Sequence, residues 1–400
     1  MARKTKMRDP SQFDLGRVQH GPRNMVVFMV GPLGGLSGGD LHALRLALHW
    51  KQTRGKVTVM APRSILDNCP QELRDSVVFA RVPLDSHGGN VWTYSLVVLV
   101  RAIRYLIVAP PAQVSVAASH VTADVAMCFI HRVLYRSRPV IFVHHLIATA
   151  GRRRSFRVSA ARIIEAVSLI LARRSSAIVF TGDPAAYSEL LRRGFSESAI
   201  FLTGNAYDPL VALPPRSYVQ EHPLIVFCGR LCEEKGIWDV ISVARGLRDA
   251  VPSARIEMLG EGLLHNALVA RIAAEGLINV SVRGWVSEAE KWTVLRRASL
   301  TLAPSYEEGW GIAVGEALFA GTPVVAYDLS AYSHFGATLI KVPKGDVSRL
   351  TSTVIELLLK SELLGRATAS VEQAELPLWE KILEREASVI EDSYFSRGTL

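Results

Sequence analysis

The chain has 400 residues, 49% hydrophobic and 21% charged, with a formal net charge of +9. That length gives two or three domains with their own cores, in an ordinary soluble, globular balance. The positive charge is local: residues 1–24 carry six Lys/Arg against two Asp, and 151–174 carry seven Arg against Glu165 alone. The rest is near neutral, which excludes a general nucleic-acid-binding surface.

Residues 1–24 lack hydrophobic periodicity and read as a disordered basic tail. With no apolar core before Met25 they do not form a secretory signal. From Met25 short apolar runs alternate with helical patterns. The runs are Met25–Val30, Val57–Met60, Val77–Val82, Val114–Ala118, Val140–Val143 and Ala177–Thr181. Helical stretches such as His42–Trp50, Ala123–Leu134 and Ala185–Arg192 lie between them, which predicts a doubly wound parallel sheet. The apolar stretch from Val91 to Pro110 is interrupted by Arg101 and Arg104 and reads as a helix of the domain rather than a membrane span.

Three segments of this half sit at predicted strand ends, where ligands of open α/β sheets bind. Gly31-Pro-Leu-Gly-Gly-Leu-Ser-Gly-Gly39 follows the first strand, but it is no clean dinucleotide fingerprint and equally suits a flexible turn. Ser119-His120 follows Val114–Ala118, where His120 suits either a site residue or a core or capping histidine. His144 and His145 follow the next strand in the same way.

Asp208–His222, with Pro209, Pro214 and Pro215, reads as a linker between units at 25–207 and 223–375. Alternation restarts at Leu224–Cys228 and continues through Ile256–Leu259, Val280–Val282, Leu300–Ala303 and Pro323–Ala326. Gly229-Arg230-Leu231 and Lys235-Gly236 follow the first of these strands and open a helix. Two fixed cations there can stabilise the charge of a departing diphosphate. Glu308-Gly-Trp-Gly-Ile-Ala-Val-Gly-Glu316 joins a strand to a helix. A spacing of eight at about 100° per residue predicts both carboxylates on one helix face. The glycines give a ligand access to free N–H groups at the helix start. Residues 376–400 contain a terminal helix, Trp379 to Tyr394. Cys69, Cys128, Cys228 and Cys232 lack metal-ligand spacing and read as free thiols of a reducing compartment.

Pro304-Ser305, Glu308-Gly309, Glu316-Ala317 and Gly321-Thr-Pro-Val-Val325 together resemble the donor-site signature of family 4 (group 1) glycosyltransferases. Phe227-Cys-Gly-Arg-Leu231 with Lys235-Gly236, Met258-Leu-Gly-Glu-Gly262 and Val282-Arg-Gly-Trp-Val286 extend the resemblance over the C-terminal half. It implies the GT-B fold, two Rossmann-like domains facing across a cleft, with the terminal helix crossing back to the first. It also implies retention of anomeric configuration and a UDP- or GDP-sugar donor as co-substrate, with no cofactor. In this pattern Arg230 and Lys235 hold the diphosphate, and Gly229 and Gly262 line the donor. Glu308 orients the sugar beside Gly309, Trp310 and Gly311, and Glu316 binds the ribose. Gly34 and Gly35 supply donor-side N–H groups, His120 contacts the transferred sugar, and His144 and His145 face the acceptor. Asn205 and Asp208 match the family's hinge, although Ala206 replaces its usual glycine and Leu263 replaces a proline after Gly262. No Asp-x-Asp metal motif is present, so no metal is expected.

The expected activity is transfer of a hexose-type sugar to a glycan or a polyprenyl- or other lipid-linked acceptor. Other sugar-nucleotide chemistry, such as epimerisation, and non-catalytic nucleotide binding are the alternatives. The expected location is cytoplasmic, peripheral at the inner face of the membrane. Phe156, Ala160, Ile163, Ile164, Val167, Ile170 and Leu171 form an apolar helical stripe within 151–175, flanked by Arg152–Arg154 and Arg173–Arg174. Such a stripe suits an anionic membrane surface, and it equally suits packing on the N-terminal sheet.

Overall fold

A computed structural model describes residues 23–30, 38–63, 65, 69, 71–78, 91–144, 146, 156–209, 213–215 and 222–395, the side chains at 91–96 and 156–160 excepted. The first unit is a parallel sheet of β1 (Met25–Phe28), β2 (Val57–Met60), β3 (Val77–Val78), β4 (Val114–Ala117), β5 (Arg138–Phe142), β6 (Ile178–Thr181) and β7 (Ile200–Leu202). Its order is β3-β2-β1-β4-β5-β6-β7. The second sheet contains β8 (Leu224–Cys228), β9 (Arg255–Leu259), β10 (Val280–Gly284), β11 (Leu300–Ala303), β12 (Val324–Tyr327) and β13 (Ile340–Val342). Its order, β10-β9-β8-β11-β12-β13, repeats the first. The central strands are continuous Val/Ile/Phe runs because helices cover both sheet faces; β1 is buried at all four positions. The edge strands β7 and β13 are three residues each, too short to stand out as apolar runs.

The helices of the first unit are α1 (Gly38–Thr53), α2 (Gln71–Arg74), α3 (Val91–Val108), α4 (Thr122–Tyr135), α5 (Phe156–Arg174) and α6 (Pro184–Arg192). Those of the second are α7 (Ile237–Ala250), α8 (His265–Ala274), α9 (Glu288–Arg297), α10 (Ile312–Phe319), α11 (Val347–Leu359) and α12 (Ser361–Glu372). Local signals set several starts. Asp183 caps α6 by accepting from Ala185 N, with Pro184 at the first helical position. Ser287 caps α9 and Asp346 caps α11 in the same way. No helix among the described residues is long and apolar enough to cross a membrane.

The last helix, α13 (Trp379–Tyr394), leaves the second unit and packs on the first sheet beside α1. Trp379, Ile382, Leu383, Ala387 and Ile390 join the core formed with Val27, Leu44 and Trp50. At its centre Glu386, 0% exposed, bonds His42 Nε2 at 3.0 Å and accepts from Thr203 Oγ1 at 2.7 Å. Arg54 bridges Glu384 and Glu391 on the rim of the same contact.

On α5 the sequence stripe and the buried face do not coincide. Glu165, Ser168, Leu169 and Ala172 point inward, while Ile163, Ile164, Val167 and Ile170 are exposed. For these four positions, packing on the sheet is excluded. The inward face is partly polar because Glu165 meets His120, and Ser168 Oγ donates to the His120 carbonyl at 2.6 Å.

Candidate active site

The sheet order decides which motifs meet. In the second sheet β8 and β11 are neighbours, with Leu300 beside Ile225, although about seventy residues of chain separate them. The loops leaving their carboxyl ends therefore emerge together at the point where strand order reverses, where ligands of such sheets bind. Gly236 adopts φ 68°, and a Cβ there would come within 2.0 Å of the Pro304 carbonyl oxygen. That close approach, with Tyr306 N donating to Glu234 O at 2.8 Å, seats the Lys235 turn against the loop after β11. Lys235 Nζ then reaches Glu308 Oε1, which also accepts from Ser305 Oγ at 3.2 Å. Both members of this ion pair are largely shielded, with side chains 17% and 14% exposed. Arg230, in the loop between β8 and Lys235, is exposed, and its side chain makes no hydrogen bond or ion pair with the described residues. Gly229 and Gly262 line the same turn. A Cβ on Gly262 would meet Leu231 O at 2.3 Å, so Gly262 lets two backbone loops pack against each other.

The prediction of one helix face for Glu308 and Glu316 is corrected by the structure. Gly311 takes φ 80° and α10 begins only at Ile312, so the chain loses helical phase between the two carboxylates. Each has its own lysine. Glu316 Oε1 accepts from Lys291 Nζ at 2.8 Å, and Lys291 also bonds Glu288 at 2.8 Å. Burial pushes the Glu316 carboxyl upward, against the pull of Lys291. Burial acts to lower Lys291, yet Glu316 and Glu288 hold it above the ordinary lysine range. The first bond closing α10 runs from Gly315 N to Gly311 O at 2.9 Å. The N–H groups of residues 312–314 therefore have no intrahelical acceptor and face the loop that carries Glu308. Lys291 and Glu288 were not anticipated; only their spacing on α9 is visible in the sequence, and their approach to Glu316 is tertiary.

Trp310 packs against other parts of the chain. Its ring stacks on His334 with centroids 4.0 Å apart, and a Cβ on Gly204 would lie 3.3 Å from it. Trp310 thus wedges the Glu308 loop against the hinge between the units. Tyr207, from the same hinge, is a further residue not foreseen. Its ring lies on α10 where a Cβ at Gly315 would come within 2.1 Å. Its hydroxyl donates to His334 Nε2 at 2.8 Å. Burial lowers His334 to about 4, so the ring is a neutral acceptor near pH 7. Asp208 completes the hinge, with Oδ1 accepting from Trp379 N at 2.6 Å at the start of α13.

In the first unit β1 and β4 form the equivalent reversal point. His120 follows β4, but its Nε2 lies 3.3 Å from Glu165 Oε1 and makes no bond to the second unit among the described residues. His144 Nε2 bonds the Ala118 carbonyl at 3.3 Å, and its ring underlies the first turn of α1, 2.3 Å from where a Cβ on Gly39 would stand. Gly34, Gly35, His145 and Arg152–Arg154 lie outside the described residues. No group of three His, Cys, Asp or Glu among the described residues could hold a metal ion. A concavity lined by Arg296, Phe319, Glu372 and Lys381 lies at the C-terminal end of α10, away from Lys235 and Glu308.

Residues 216–369 match the family model described as glycosyl transferases group 1. A glycogen synthase of Mycobacterium tuberculosis is 28% identical over 230 residues, 55% of this chain and 54% of its own. A phosphatidyl-myo-inositol mannosyltransferase of Mycobacterium leprae is 31% identical over 156 residues, 38% of this chain and 41% of its own. The chain thus spans about half, or less, of the length of these curated relatives. Among solved structures, Anabaena HepE in complex with UDP and glucose superposes with a TM-score of 0.71 at 16% identity, covering 92% of this chain and 100% of that one. Residues 216–369 are thus similar in sequence to group 1 glycosyl transferases, and the chain that carries them has the GT-B fold.

Proposed function

We propose that this protein is a retaining glycosyltransferase that moves a hexose-type sugar from a UDP- or GDP-sugar to a glycan or lipid-linked acceptor, without a metal. The observation that carries this reading is the meeting of Lys235 and Glu308 where the loops after β8 and β11 emerge together, with Arg230 exposed on the first of those loops. Arg230 and Lys235 neutralise the diphosphate as negative charge develops on the leaving group, the task a divalent cation performs elsewhere. Glu308 takes the sugar hydroxyls beside the free N–H groups at the start of α10, and Glu316 takes the ribose. The N-terminal motifs offer no carboxylate as a covalent nucleophile, so the acceptor attacks from the face the diphosphate leaves, and the diphosphate oxygen receives the acceptor's proton. Domain closure excludes water and limits donor hydrolysis. The likeness to a phosphatidyl-myo-inositol mannosyltransferase supports a lipid-linked acceptor and a peripheral position at a membrane.

Thermal shift with UDP-, GDP- and ADP-sugars tests the donor class. A donor at 100 times its Kd adds about 2.7 kcal/mol of stability. Product assays with the stabilising donor then require an acceptor; turnover without one indicates epimerisation or hydrolysis instead. Glu308→Gln should lose most transfer while keeping nucleotide-induced stabilisation, and near-wild-type turnover would end this assignment.

A further inference from the structure

We propose that the outward face shared by α3, α4 and α5 docks on an anionic phospholipid surface. This deepens the reading of a membrane-proximal acceptor and rests on it only for the acceptor's location. The three helices lie side by side, α3 against α4 and α4 against α5, and their inner sides share one core beneath the first sheet. Their outer sides are apolar to a degree that soluble packing does not require. On α5 Ile163 and Ile164 are 67% and 57% exposed, followed by Val167 and Ile170 along the same line. On α3 Leu99, Ile103 and Ile107 repeat at helical spacing, with Ile107 78% exposed. Val133 and Leu134 continue the surface at the end of α4. Scattered apolar side chains are normal on any protein, but rows on α3 and α5 with Val133 and Leu134 at the end of the helix between them mark an interaction surface.

The charges identify the partner. The three helices contain two acids, Asp124 and Glu165, and both are buried. The charged side chains that reach solvent from the described parts of these helices are arginines, Arg104, Arg173 and Arg174 fully and Arg132 and Arg162 partly. An apolar face whose helices, in their described parts, expose only cations fits the boundary between anionic headgroups and acyl chains. It fits a second copy of this chain poorly, because a two-fold contact would set arginines against arginines. Docked in this way, the first unit lies flat on the bilayer through the outer surface of these helices. The carboxyl ends of its strands, which border the candidate site, open sideways along the membrane plane, where a lipid-borne acceptor diffuses.

The test is co-sedimentation of the full chain with phosphatidylcholine vesicles with and without phosphatidylglycerol. Binding is expected only with phosphatidylglycerol, should fall several-fold in high salt, and should fall at least tenfold in I163D/I164D. R104S/R174S should weaken it by a smaller factor. All four positions are exposed, so unfolding midpoints and nucleotide-induced thermal shifts should match wild type. Equal recovery in the supernatant with both vesicle types, or undiminished sedimentation of I163D/I164D, overturns the proposal. So does light scattering that finds a wild-type dimer and a monomeric I163D/I164D, since the face is then an interface between copies. Lost vesicle binding with intact nucleotide shifts would leave the glycosyltransferase reading standing. Vesicle binding without any nucleotide shift would sink that reading and keep this one.

Discussion

Replacing Gly315 by alanine should destabilise the second unit, although alanine is the better helix former. The added Cβ would stand 2.1 Å from two ring carbons of Tyr207. Carbon atoms pack at about 3.5–4.0 Å, so the ring or the helix must move by more than an ångström. The ring cannot retreat easily, because Tyr207 is buried, its hydroxyl is bonded to His334 at 2.8 Å and Phe335 packs against it. Overpacking on this scale costs about 3 kcal/mol, and the helical preference for alanine returns about 1 kcal/mol, leaving a net loss of about 2 kcal/mol. Gly365 is the control: it lies within α12 with nothing inside 4 Å of its missing Cβ. There alanine should add up to about 1 kcal/mol. Urea unfolding followed by circular dichroism gives both signs, and a Tyr207→Ala background isolates the contact. Gly315→Ala should cost nothing in that background. A Gly315→Ala protein as stable as wild type, or a penalty that survives removal of the Tyr207 ring, would refute the wedge.

Arg230→Ala should raise the barrier to transfer by about 2–4 kcal/mol, comparable to losing an oxyanion donor, and unchanged kcat/KM would return Arg230 to the ordinary surface. Glu386→Ala should cost about 3 kcal/mol in unfolding experiments, because it strands His42 and Thr203 in the core between α1 and α13; Glu386→Gln should lose less, and equal losses would deny the bonds their role. Docking of α13 should weaken in acid. Burial alone would raise the Glu384 carboxyl, but the bonds from Arg54 and His49 outweigh it and hold it below the ordinary 4.5. The stability gained from that lowered pKa is full above about pH 4.5 and fades as pH falls through the folded value. The hydrogen-exchange protection of α13, measured relative to the intrinsic rate at each pH, should therefore fall below pH 4.5 and lose this dependence in Arg54→Ala; an unchanged profile in that variant would remove Arg54 from the account.

Local chemistry made much of this protein legible before any fold was known. Buried parallel strands must read as uninterrupted apolar runs, so β1, β4, β8 and β11 stand out. Arg230, Lys235, Glu308 and Glu316 could be picked out because glycine turns beside strand ends leave a recognisable pattern. What those residues touch was settled by strand order. Lys235 and Glu308 are 73 residues apart, and only the adjacency of β8 and β11 joins them. Gly311, by turning to positive φ, broke the helical phase on which the Glu308–Glu316 face was argued. The motif marks Trp310, but its stacking on His334 and its place beside Gly204 are tertiary. The apolar period of α5 likewise fixed which residues share a face, but a period carries no direction. The direction is tertiary: Glu165, beside His120, lies buried with Leu169 and Ala172, and Ile163 and Ile164 stand outward.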